Sequence, residues 1–163
     1  MKESMRETLW KQLGASIDML ENALKMCPAE QWDTDTKFWY MAYHCLFYLD
    51  YYLTLDPKQF LPTPPFTLSE FDPNGAMPDR VYSKEELLDY LEASRKKCRT
   101  LVISLTEDIA GQRWADDYKN YSVFEMLLYN MRHVQHHAAQ LNLLLRQTMD
   151  DAPKWVSQTR AGL

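Results

Sequence analysis

The sequence predicts an all-α fold, a four-helix bundle with a long loop between its second and third helices. Apolar residues recur at helical spacing in four stretches of the 163-residue chain. No stretch shows the sustained alternation that is typical of a strand. Residues 56–82 contain six prolines, which exclude a continuous helix there and leave a long irregular connection.

Serine followed three residues later by glutamate stands just ahead of three of these stretches. This is the capping-box pattern, in which the two side chains bond to backbone N–H groups at the start of a helix. The pairs are Ser4 with Glu7, Ser83 with Glu86, and Ser122 with Glu125. The pattern predicts the starts of the first, third and fourth helices, whereas Thr34, Asp35 and Thr36 are the candidate N-caps of the second.

The helix ends follow from prolines, glycines and the loss of periodicity. The first helix is predicted to end near Met26, before Pro28, and the second at about Leu55. The third is predicted to end near Asp108 and the fourth near Met149. Helices of these lengths have the proportions of a four-helix bundle.

Connection lengths predict the helix directions within one domain that covers residues 1–163. The first and third connections are short, so each joins an antiparallel pair. The segment 56–82 is long enough to cross the bundle, which favours an up-down-down-up order over an excursion that returns to the same end. The tail, residues 151–163, is expected to pack either on the bundle or on a second subunit.

Composition excludes several classes of protein. Hydrophobic residues make up 46% of the chain and charged residues 25%, which excludes a disordered chain. The net charge is -5 without a basic stripe, so nucleic acid is not an expected partner. Neither a signal peptide nor a membrane span is expected, because no apolar run is long enough. The scattered cysteines Cys27, Cys45 and Cys98 predict buried thiols in a cytoplasmic protein.

The four histidines carry the strongest chemical signal, since all lie in predicted helices. His133 and His137 are one turn apart and about 40° apart around the helix, so both imidazoles can converge on one ion. His136 lies about 60° to the other side of His133 and is predicted to be a neighbour only. His44, in the second helix, is the remaining histidine and completes a predicted three-nitrogen metal site. Three protein ligands with an open position are typical of a catalytic site.

Two polar side chains share the face of the histidine pair. Asn130 and Gln140 lie about 60° and 20° from His133 around the helix. Such residues orient metal ligands by hydrogen bonds in many metal sites. Ordinary hydrogen bonding between helices explains them equally well.

Aromatic residues share the face of His44. Tyr40, Tyr48 and Tyr51 lie within two turns of it and belong either to the packed core or to a cavity near the metal. Asp50 lies about 120° off that face, so we expect it to be solvated or to bond to a helix end.

The pattern His133-x-x-His136-His137-x-x-Gln140, with His44 in the second helix, resembles the DinB-like (DNA-damage-inducible, YfiT-related) superfamily. The resemblance covers nearly the whole chain. It implies a four-helix bundle with a long link between helices two and three, and one divalent metal ion bound by His44, His133 and His137.

The resemblance also implies a metal-dependent enzyme, in many relatives one that transfers a low-molecular-weight thiol. A common form of the motif has Arg-Gly after the paired histidines, where this chain has Ala138-Ala139, so no specific thiol is identified. Zinc or nickel is the expected ion, with iron or manganese as alternatives, and a thiol the expected cosubstrate of a small-molecule substrate.

Three functions are compatible with these residues. In a thiol S-transferase the metal activates a thiol, and His136 is the candidate proton shuttle. In a hydrolase the same metal activates water. The third alternative is a metal-binding or stress-related dimerisation module without turnover. A homodimer is suggested by the resemblance and by apolar residues near the tail, which includes Trp155.

Overall fold

The computed structural model describes residues 1–163 and confirms an all-α fold. Four long helices form the bundle, and two short helices, two 3-10 turns and one small hairpin lie in the connections. The helices are α1 (Glu3–Met26), α2 (Ala29–Trp32), α3 (Phe38–Tyr52), α4 (Lys84–Ser104), α5 (Glu107–Gly111) and α6 (Val123–Met149). The antiparallel strands are β1 (Arg113–Ala115) and β2 (Asn120–Ser122), and the 3-10 turns are Pro57–Gln59 and Ser69–Phe71.

Two of the three predicted serine caps are present. Before α4, Ser83 Oγ accepts a hydrogen bond from the Glu86 N–H, and the Glu86 carboxylate accepts one from the Ser83 N–H. Before α6, Ser122 Oγ accepts from the backbone N–H three residues on. The prediction for Ser4 was wrong, because α1 already begins at Glu3 without a side-chain cap.

The second bundle helix is shorter than predicted. Lys37, in a left-handed conformation with φ 52°, precedes α3, and the hydroxyls of Thr34 and Thr36 bond to each other instead of capping it. The helix ends at Tyr52, three residues before the predicted end at Leu55.

The connection after the third bundle helix also differs from the prediction of one helix to Asp108. The helix α4 ends at Ser104, and Thr106 caps the separate helix α5 by accepting a hydrogen bond from the Ile109 N–H. The hairpin that follows was not predicted, because three-residue strands are too short to show a period-two pattern.

Each long helix packs against two others. The helix α1 packs against α4 and α6, and α3 also packs against α4 and α6. Contacts between α3 and α6 run antiparallel, since Asn130 Nδ2 donates to Leu49 O while His44 lies beside His137 seven residues further along α6. Contacts between α1 and α4 are also antiparallel, with Arg6 bonded to Ile103 O near one end.

The other two pairs run parallel. Tyr90 and Lys97 of α4 bond to Asp50 and Thr54 in the same order along the chain. One end of the groove between α1 and α6 is lined by Met5 and Phe124, the other by Met19 and Asn142. These contacts favour the up-down-down-up order expected from the sequence.

The tail packs on its own bundle rather than extending from it. The Thr159 N–H donates to Lys11 O, and Trp10 Nε1 donates to Ala161 O. A Cβ added at Gly14 would stand 2.6 Å from Thr159 Cγ2, so glycine permits this close approach. All three cysteines are buried and free, as predicted, and none of the helices has an apolar stretch of the length that a membrane crossing requires.

The interpretation of Asp50 as a solvated or cap-bonding residue was wrong. Asp50 is 7% exposed, and its carboxylate accepts hydrogen bonds from Lys97 Nζ (2.5 Å) and the Tyr90 hydroxyl (3.0 Å). The physical reason is that α3 packs against both α6 and α4, so a side chain about 120° from His44 faces α4 instead of solvent.

We predict that Asp50→Ala lowers the free energy of unfolding by about 2–3 kcal/mol. It leaves the buried Tyr90 hydroxyl without its acceptor and removes the carboxylate partner of Lys97. The cost stays at the lower end because the Lys97 side chain is 38% exposed and keeps its bonds to the residue-50 carbonyl and Thr54 Oγ1. Urea unfolding of the metal-free protein measures the effect, with Asp89→Ala as the control, since Asp89 is exposed and makes no side-chain contact of this kind. Equal losses for both variants would contradict the account.

Candidate metal centre

Three of the four histidines meet where α3 packs on α6. His44 comes from α3, and His133 and His137 come from successive turns of α6. One nitrogen of each ring lies within 4.8 Å of the other two. The His133 and His137 ring centroids are 4.6 Å apart, and the His44 and His137 centroids 4.9 Å apart. Because zinc binds imidazole nitrogen at about 2.0–2.1 Å, the rings need to move slightly inward to hold one ion.

Hydrogen bonds orient two of these rings. His44 Nδ1 lies 2.5 Å from Glu70 Oε2, and His137 Nδ1 lies 2.8 Å from Gln140 Oε1. Since both partners are oxygen acceptors, each Nδ1 carries the proton and each Nε2 keeps its lone pair for a ligand. His133 Nδ1, in contrast, is buried without a hydrogen-bond partner.

The environment keeps the pair on α6 uncharged. Burial, together with repulsion of positive charge by the neighbouring imidazoles, lowers the pKa of His133 to about 3. Burial likewise lowers the pKa of His137 to about 4, against the opposing effect of its bond to Gln140. Both rings are therefore neutral at pH 7, the state in which imidazole binds a metal.

Glu70 is the residue of this site that the sequence interpretation missed. It lies in the second 3-10 turn of the long loop, 26 positions from His44, with a side chain only 3% exposed. Its Oε1 atom is buried without a partner, and Tyr48 donates its hydroxyl hydrogen to the Glu70 carbonyl. Nothing local in the sequence distinguishes Glu70 from the other acidic residues of the loop, such as Asp72 and Asp79.

The other predicted neighbours occupy different positions. Asn130 is fully buried and bonds α6 to α3 through Leu49 O, and it makes no hydrogen bond to a histidine. His136 is exposed, with its ring centroid 5.2 Å from that of His137. It lines a cavity of about 720 Å³ between α1, α6 and Trp155, and His133 lines the same cavity.

Of the three tyrosines predicted near His44, Tyr48 and Tyr51 line a cavity and Tyr40 does not. The Tyr48 ring contacts His44 with a centroid distance of 4.9 Å, and the Tyr51 hydroxyl donates to Asp116 Oδ2. Tyr40 lies on the loop side, where burial and the Glu70 carboxylate raise its pKa.

A cavity of about 500 Å³ lies next to the histidines. The helix α3, the long loop and the turn of the hairpin form its walls, and its lining includes Tyr48, Tyr51, Glu70, Asp116 and Lys119. Tyr48 and Glu70 also contact His44, so two residues of the cavity wall connect it to the histidine cluster, although none of the three rings lines it. A small molecule in this cavity would lie close to an ion held by the histidines.

Comparison with known proteins identifies the family. The sequence model of the DinB superfamily matches residues 12–141, a range that includes all four histidines, the long loop and the hairpin. Neither the search of curated proteins nor the search of solved structures gave a match. Because the family match covers most of the chain, this protein belongs to the DinB superfamily.

Proposed function

We propose that the protein is a metal-dependent enzyme of the thiol S-transferase type. His44, His133 and His137 would hold one divalent transition ion, with zinc or nickel favoured and iron or manganese as alternatives. The observation that carries the proposal is the convergence of three imidazoles with no cysteine or carboxylate in the group. A structural zinc site would normally have four protein ligands, whereas three leave a position for a substrate atom.

The donor set fits such an ion. His44 and His137 have their Nδ1 atoms bonded to acceptors. The two rings on α6 are neutral, so neither of them has to lose a proton at pH 7. A bound divalent ion would lower the pKa of a coordinated thiol and so provide a thiolate near neutral pH.

The chain's own residues would support this chemistry from two sides. Glu70 and Gln140 hold the rings of His44 and His137 in orientation, as carboxylates and amides do in other metal sites. The adjoining cavity would bind the electrophile, with the Tyr48 ring excluding water from the inner end. His136, which contacts His137 and is exposed to solvent, remains the candidate for moving the thiol proton to water.

The proposal predicts metal-dependent thiol transfer. Protein reloaded with zinc or nickel should accelerate the reaction of thiols with chlorodinitrobenzene by about 100-fold or more over the uncatalysed rate. The assay follows the thioether product, with metal-free protein and free metal ions as controls. Stoichiometric binding of each metal with no acceleration for any thiol would contradict the proposal and favour a metal-binding protein without turnover.

A second prediction concerns Glu70. Glu70→Gln should lower the affinity for zinc by about 10-fold to 100-fold, because an amide orients the His44 ring and supports it as a ligand less well than a carboxylate does. Competition with a chromophoric chelator measures the affinity, and Asp72→Asn is the matched control in the same loop. An unchanged affinity in Glu70→Gln would show that this hydrogen bond does not support the site.

A further inference from the structure

The cavity between α1, α6 and Trp155 differs in charge from the cavity beside Tyr48. Arg132 is the one permanently charged residue among those that line it, and no carboxylate is among them. The cavity beside Tyr48 is lined by four carboxylates and a single lysine. The whole chain carries a net charge of -5. The cavity with Arg132 is therefore a local positive site on an acidic protein.

The guanidinium of Arg132 has no partner within the chain. It forms no salt bridge and no hydrogen bond, in contrast to Arg95, whose guanidinium bonds to Glu21 and Glu92. Its own helix supplies no partner, because none of the residues one turn before or after it in α6 is acidic. Arginine presents its N–H donors in a planar fork that matches a carboxylate. The donors of Arg132 are thus available to a ligand in the cavity.

Trp155 differs from the other four tryptophans of the chain. Those four are at most 8% exposed, and each donates its indole N–H to an oxygen. Trp155 lines the cavity, is 69% exposed and donates no hydrogen bond. Its backbone is held in place, because Ala152 and Thr159 on either side are buried and the Val156 N–H contacts Met19 Sδ. The indole therefore lies at the cavity on a fixed backbone, with an aromatic surface and an N–H that a ligand can use.

The size and position of the cavity suit a small molecule. Its volume of about 720 Å³ lies within the range of about 300–1,000 Å³ that is typical of ligand sites. His133 lines it, so a ligand would lie against one ring of the histidine cluster. A second cavity of about 360 Å³ adjoins it and shares Trp155 with it, and Arg146 is the only charged residue of that wall. Neither cavity has an acid in its wall that would repel an anion.

We propose that the cavity between α1, α6 and Trp155 binds an anionic aromatic molecule. Arg132 holds its carboxylate, and the indole of Trp155 packs on its ring. A ligand with both groups uses both free side chains, whereas a neutral aromatic molecule uses the indole alone and a cationic one is repelled by the guanidinium. The inference goes beyond the proposed function, since it assigns a ligand to a different cavity and requires no turnover.

Calorimetric titration of the zinc-loaded, full-length protein with three naphthalene probes tests the inference. Naphthylacetate, naphthylacetamide and naphthylethylamine share the ring and differ in charge. We expect the anion to bind about 5-fold to 10-fold more tightly than the amide, as a charge-assisted hydrogen bond to an exposed arginine predicts. The net charge of -5 disfavours anions, so this preference reports a local site. The metal-free protein should show the same preference, because Arg132 rather than the ion holds the carboxylate.

Variants of exposed residues separate the two contacts. Arg132→Met should abolish the preference for the anion and leave the affinity for the amide unchanged. Trp155→Ala should weaken binding of the anion and the amide alike, by about 3-fold to 10-fold, because both lose the aromatic contact. Lys154→Met is the matched control and should keep the preference, since it removes one positive charge next to Trp155 in the tail from a residue that does not line the cavity.

Several results would overturn the inference. These are equal affinities for the anion and the amide, a preference for the amine, and an anion preference that survives in Arg132→Met or requires zinc. Loss of the preference in Lys154→Met as well would assign it to the general charge of the tail. Iodide quenching of the exposed Trp155 that declines with rising protein concentration would assign the cavity to a second copy of this chain instead. None of these measurements involves thiol transfer, so failure of the proposed function is distinguished from failure of this site.

Discussion

The site depends on the packing of α3 against α6. That antiparallel interface brings His44 opposite His133 and His137, and the buried bond from Asn130 to Leu49 O fixes the level at which the two helices meet. A shift of α3 by one residue would rotate His44 by about 100° and remove it from the other two rings. The geometry of the cluster is therefore a consequence of bundle packing rather than of any local motif.

The two buried faces of α3 carry different polar groups, a carboxylate on one side and imidazoles on the other. On the α4 side, the carboxylate of Asp50 is compensated by Lys97 and Tyr90, so this polar contact joins helices. On the α6 side, three imidazoles face one another without a nearby charge partner except Glu70, and burial keeps the pair on α6 neutral. Burying imidazole nitrogens without hydrogen-bond partners lowers the stability of the fold, but uncharged imidazoles are the form that binds a metal cation.

Helical periodicity was sufficient to predict the four long helices and the relation between His133 and His137, because both depend on spacing within one helix. Periodicity did not predict the burial of Asp50, because α3 packs against two helices and its sequence alone does not show how many helices surround it. Glu70 could not be found either. It approaches His44 from the long loop, and no local pattern in the sequence encodes the path of that loop. Family membership, in contrast, follows from the histidine pattern and is shown by the family match.

The metal content of three purified proteins tests the central claim most directly. After loading with zinc and removal of excess ion, the parent protein and His136→Ala should each retain about one ion per chain. In His137→Ala the affinity for zinc should fall by more than about 100-fold. Removing a metal ligand costs more than removing a hydrogen bond that orients a ligand. His136 is the matched control, being the adjacent histidine of the same helix. Equal metal loss from both variants, or retention by both, would contradict a site formed by His44, His133 and His137.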